Sequence, residues 1–102
     1  MYIIIKNNIP DRLVPVITAH ASLACYKKFE NDENMIKWIN GVFKKVVCVV
    51  DETEFEKFKE DDNFVLLTES ALDNREVGVA FCPREVFPKK FKFLKMWSPQ
   101  NN

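Results

Sequence analysis

His20 is the one histidine among 102 residues, and it stands in the run Thr18-Ala19-His20-Ala21-Ser22. Imidazole has an unperturbed pKa near neutrality, so His20 is the first residue to consider for moving a proton or steering a water. A second centre is Glu69-Ser70-Ala71-Leu72-Asp73-Asn74-Arg75-Glu76, which packs carboxylates, a hydroxyl, an amide and a guanidinium into one short segment. Loops at strand ends are where sites tend to be built. Each has a plainer reading beside it. A lone histidine in an apolar helix can edge the core on one hydrogen bond, a polar turn can be merely solvated, and Ser22 can be a hydroxyl on a helix surface.

Other chemistries find little material. There is no G-x-G-x-x-G, no P-loop and no H-E-x-x-H, and the chain holds two glycines. Cys25, Cys48 and Cys82 are odd in number and widely spaced, without a C-x-x-C pair, so neither a disulfide framework nor a cysteine metal site is indicated. No metal ligand and no cofactor is expected, and a reducing, cytoplasmic location is.

The elements that position these residues follow from local patterns. Tyr2-Ile3-Ile4-Ile5 is a β-branched and aromatic run closed by Lys6-Asn7-Asn8 and Pro10, the pattern of a strand buried on both faces. Pro15 suits the first turn of a helix that runs through Val16, Ile17, Ala19, Ala21, Leu23 and Ala24 to about Lys28. Asn31-Asp32 offers an N-cap for a second helix ended by Asn40-Gly41. Lys45 to Val50 is a second buried-type strand, and Asp51 with Glu54 forms a capping box opening a third helix, with Phe55 and Phe58 toward the core.

Phe64 to Thr68 and Val77 to Cys82 give two further strands around the polar loop from Glu69 to Glu76. Pro83 stops the last of them, and Pro88 forbids one long helix from Pro83 to Phe93, leaving a short helix or turn before Phe93 to Trp97. This order implies an α/β fold: one domain over residues 1–97, a three-layer α/β/α arrangement on a four-stranded mixed sheet, with residues 98–102 as a flexible tail.

Composition agrees with a folded domain, at 47% hydrophobic, 13% aromatic and 29% charged residues with nine phenylalanines. No apolar run reaches the roughly 20 residues that span a bilayer, so no membrane partner is expected. Formal charge sums to zero but is unevenly spread. Acidic residues crowd between Asp51 and Asp62, while Arg84, Lys89, Lys90, Lys92 and Lys95 are opposed only by Glu85 in the last segment. The acidic run reads as a solvated helix face. The basic run reads equally as a soluble tail or as a surface for an anionic ligand.

From Pro10 to Leu23 the chain resembles the type-2 peptidyl-tRNA hydrolases, whose first strand leads through a turn to a helix carrying G-K-x-x-A-Q-x-x-H-A. The matching stretch is Arg12-Leu13-Val14-Pro15-Val16-Ile17-Thr18-Ala19-His20-Ala21. Later features follow in the family order: Lys45 to Val50, the Asp51 helix, Leu66-Leu67-Thr68-Glu69, Val77 to Pro83, and Leu94-Lys95-Met96. The family lysine corresponds to Leu13 and the family glutamine to Ile17. Its aspartate aligns with Glu69, and its site threonine has no match in the shorter loop.

The resemblance implies His20 and Glu69 as catalytic groups that place a water against the ester joining a peptide to tRNA. Arg12, Arg75, Asn74, Lys89 and Lys90 would bind the substrate, and tRNA or peptidyl-tRNA is the expected partner. Two alternatives come from other classes: an RNA- or protein-binding module that has lost catalysis, and a homo-oligomeric regulatory protein, a homodimer, that uses a sheet edge or the Trp38 helix as its interface. An RNA-binding role requires Lys89, Lys90, Lys92, Arg75 and Arg12 to form one positive surface beside His20.

Overall fold

A computed structural model describes residues 1–100 of the chain. Strand β1 (Tyr2–Lys6) leads through a single 3-10 turn, Asp11–Leu13, into α1 (Val14–Lys28), followed by α2 (Glu33–Ile39), β2 (Val46–Val50) and α3 (Glu52–Phe58). Strands β3 (Phe64–Glu69) and β4 (Arg75–Phe81) flank a 3-10 turn, Ser70–Leu72. Another, Lys89–Phe93, precedes the short strand β5 (Lys95–Met96). The strand order is β3-β4-β1-β2-β5. The β1–β2 pair is parallel and the others are antiparallel, which makes an open, mixed sheet.

The sheet therefore has five strands where the sequence implies four. The extra strand is two residues long, pairing Lys95 with Val49 and Met96 with Cys48. It is held in place by the Trp97 amide, which donates to the Val47 carbonyl at 2.9 Å. Its pairing is set by tertiary contact rather than by a run of strand-forming residues, so no local pattern announces it. Of the tail expected over residues 98–102, the Gln100 amide donates to the Asp11 carboxylate, and residues 101 and 102 lie outside the described ones.

Two cores form, one on each face of the sheet, because successive side chains of a strand point to opposite sides. Ile3 and Ile5 join Val14, Ile17, Ala21 and Cys25 of α1 and Met35 of α2 on one face. Ile4 joins Val79, Phe81, Phe55, Phe58 and Phe91 on the other. The spacing of the buried α1 residues follows the helical repeat, which leaves Val16, His20 and Leu23 facing outward. Both caps read from the sequence are present. Asp32 Oδ1 accepts from the amides of Asn34 and Met35, and Asp51 and Glu54 bond reciprocally at 2.8 and 3.2 Å.

Gly78 is required by the close approach of β4 to β1: a Cβ there would stand 2.5 Å from the Ile4 carbonyl oxygen. Among the described residues no helix is long and apolar enough to cross a membrane.

Candidate functional site

α1 runs back along the sheet so that its first turns lie beside the end of β3. Val16, Ile17 and His20 then face Leu67, Thr68 and Glu69 across an open cleft of about 290 Å³, with Ser70 and Asn74 of the β3–β4 turn at its rim. Val16 and His20 share a helix face because they are four residues apart. Ile17, 3% exposed, forms the apolar floor. Leu13 packs against the same core from the turn before α1.

His20 is solvent-exposed and forms no hydrogen bond or ion pair among the described residues, so it is not the satisfied core-edge histidine of the plainer reading. Both ring nitrogens are free to meet a ligand or a water.

Glu69 is half-buried and has a structural task as well. Its Oε2 accepts from the Ala71 amide at 3.0 Å and lies 3.5 Å from the Ser70 hydroxyl, capping the 3-10 turn. Its backbone carbonyl accepts from the Asn74 amide at 2.9 Å. Asp73 and Asn74 hold the turn with φ of 57° and 58°, a left-handed conformation that these two residue types adopt more readily than most. Oε1 makes no hydrogen bond among the described residues and remains an available acceptor.

His20, Glu69 and Asn74 are thus brought together, while the remaining sequence-derived site residues are placed elsewhere. Arg75 stands opposite Glu69 in the β3–β4 register, yet its guanidinium reaches the Asn8 carbonyl at 3.4 Å and does not line the cleft. Arg12 is exposed on the turn before α1, also outside the lining.

Lys89 and Lys90 belong to the opposite face of the sheet. Lys90 lies 3.4 Å from Asp61 and 4.8 Å above the Phe58 ring, and Lys89 borders a groove with Tyr2, Phe87, Phe91 and Lys92. The continuous positive surface beside His20 that an RNA-binding role would use does not form, because the sheet stands between His20 and these lysines.

The acidic run is likewise more than a solvated face. Glu52 pairs with the buried Lys6 at 2.7 Å, and Asp61 meets both Arg84 and Lys90. Burial alone would raise the Asp61 pKa. The Asp62 amide together with Lys90 and Arg84 outweighs burial and holds it below the ordinary value of 3.8. Burial pushes the Cys25 and Cys82 thiols up to about 12, which makes both poor nucleophiles. Among the described residues no three or more His, Cys, Asp and Glu side chains gather as a metal ion would need.

Val16 and Thr68 line the cleft without having been singled out from the sequence, whereas Ser70 stood within the polar Glu69 to Glu76 segment. Only the i, i+4 relation of Val16 to His20 offered a signal. Fold and cleft together define an open, mixed α/β sheet with a histidine–carboxylate cleft at the start of its first helix. The chain matches no family model, no curated protein and no solved structure.

Proposed function

We propose that the chain is a peptidyl-tRNA hydrolase-like protein of the type-2 kind, cytoplasmic, whose cleft acts on the ester between an acyl or peptidyl group and the ribose of tRNA. The observation that carries this reading is the meeting of an unpartnered His20 with Glu69 in one cleft. His20 takes a proton from a water that Glu69 Oε1 orients. The water oxygen bonds to the ester carbonyl carbon, the carbon–oxygen bond to the ribose breaks, and His20 returns the proton to the leaving hydroxyl. The Asn74 amide and Ser70 hydroxyl are the polar groups at the rim that can face the developing oxyanion.

With Leu13 and Ile17 both packed into the core, no amine or amide enters from those positions, and turnover should be slow. The same two residues favour a second reading, a module that holds an acyl or RNA end without cleaving it.

The two readings part on one assay. Purified protein is incubated with N-acyl-aminoacyl-tRNA, and release of the acyl-amino acid is followed. The hydrolase reading expects release by the wild type and none by His20→Ala, which keeps the fold because position 20 is exposed. Intact ester in the presence of saturating wild-type protein removes it. Retained tRNA binding under those conditions selects the binding module.

A further inference from the structure

Strand β3 is an edge: it pairs with β4 on one side and, among the described residues, with no strand on the other. The bond from the Cys82 amide to the Asn63 carbonyl sets the alternation of this antiparallel ladder. Val65 and Leu67 accordingly turn to β4, and the N–H and C=O of Leu66 point out of the sheet. Natural edges are usually blunted by charge, proline, a bulge or a covering element. Here the strand keeps six residues without proline, and Leu66 leaves 40% of its surface exposed. Among the described residues its guards are the ladder irregularity at Leu67/Thr68 and one ammonium: Lys28 Nζ donates to the Phe64 carbonyl at 2.7 Å.

The two ends of this edge carry opposite charge. Lys28 has no carboxylate within ion-pair distance and Glu69 no cation, among the described residues. No lysine or arginine lines the cleft beside Glu69.

We propose that a second copy of the chain docks antiparallel on β3 about a two-fold axis at Leu66 and brings its Lys28 to the Glu69 of the first. Leu66 of each copy exchanges two backbone bonds with its counterpart, and Phe64 of one comes opposite Thr68 of the other. The axis is perpendicular to the sheet, so both α1 helices lie on the same face and the positive end of each edge meets the negative end of the other. That reciprocity selects a second copy over an unrelated extended peptide, which would gain the backbone bonds without two matched charge contacts. The interface stands on strand geometry and charge. Its consequence, an ammonium supplied to each cleft from the other subunit, rests on the hydrolase reading.

The test combines the solution mass of the full chain with zero-length carbodiimide cross-linking. Within one chain, Lys28 and Glu69 sit at opposite ends of β3, roughly 17 Å apart by strand rise, so an amide between them joins two copies. The expected result is a dimer mass and a Lys28–Glu69 cross-link. Leu66→Pro removes an outward N–H that the β3–β4 ladder does not use, and it should give a monomer without the cross-link and with an unchanged circular dichroism spectrum.

If that variant does not fold, the charge pair decides. Lys28→Glu and Glu69→Lys each give monomers, and the double exchange restores the dimer. A monomer at every concentration, a dimer lacking the cross-link, or a double exchange that stays monomeric overturns the interface. Ester turnover is read separately: a dimer without turnover removes only the hydrolase reading, and turnover by a monomer removes only the interface.

Discussion

The two faces of the sheet are built for different ends. The face under α3 is filled by aromatic rings: Phe81 meets Phe58, Phe64 and Phe91 at centroid distances of 5.0 to 6.4 Å, and Arg84 lies 4.8 Å over Phe87. Part of its charge is paired, with Asp61 between Arg84 and Lys90. The face under α1 has a buried centre of aliphatic and sulfur-bearing side chains, edged by Tyr26, Phe29, Trp38 and Trp97, and ends in a cleft whose polar groups are underused. His20 has no partner there and Glu69 keeps one oxygen free. Polar groups that stabilise a fold are satisfied within it, and those left open are available to a ligand. Of the lysines that sequence alone groups with His20, Lys90 therefore belongs with stability, Lys89 and Lys92 are exposed on the far face, and His20 is left open to a ligand.

Substitutions on each face can break or sharpen that contrast. The largest effect is expected from Phe81→Ala, which empties the centre of the aromatic cluster. It should cost about 3–5 kcal/mol in urea unfolding, as large-to-small changes at fully buried rings do. A cost under about 1 kcal/mol would show that this face is not the main core. Next is Asp61→Asn. Because the folded Asp61 pKa is depressed, its contribution is present above the ordinary value of 3.8 and is lost as pH falls through the lower folded value. Wild-type stability should therefore drop more between neutral and acidic pH than that of the variant, and parallel curves would contradict the assignment.

Thiol labelling gives a smaller and sharper test. Cys25 and Cys82, with pKa values near 12, should resist alkylation in the native protein and react fully once it is unfolded. Fast native labelling of either would mean that the α1 face opens.

How far the sequence foretold this molecule depends on whether the deciding interaction was local. β1, the Asp51–Glu54 capping box and the Asp32 cap were legible because their signals lie within a few residues of the elements they define. His20 and Glu69 were legible as a pair through the family pattern, and the helix–strand packing does bring them together. β5 was not legible, since two residues carry no periodicity and the Trp97–Val47 bond that seats them is non-local. Nor was the separation of Lys89 and Lys90 from His20. Which face a terminal segment covers is settled by Phe91 entering the aromatic core, and no spacing in the chain reports that. Lys28, the cation nearest the open edge, was read only as the end of a helix.

The smallest stability effect and the most decisive functional one meet at a single position. His20→Ala should change unfolding free energy by no more than about 0.5 kcal/mol, as an exposed residue without partners does. Single-turnover hydrolysis of N-acyl-aminoacyl-tRNA by wild type, His20→Ala and the Lys89→Ala/Lys92→Ala pair tests the division of faces directly. Ester cleavage is expected from wild type and from the lysine variant, and none from His20→Ala. Cleavage that survives loss of His20, or that is lost with the two lysines alone, would contradict that division.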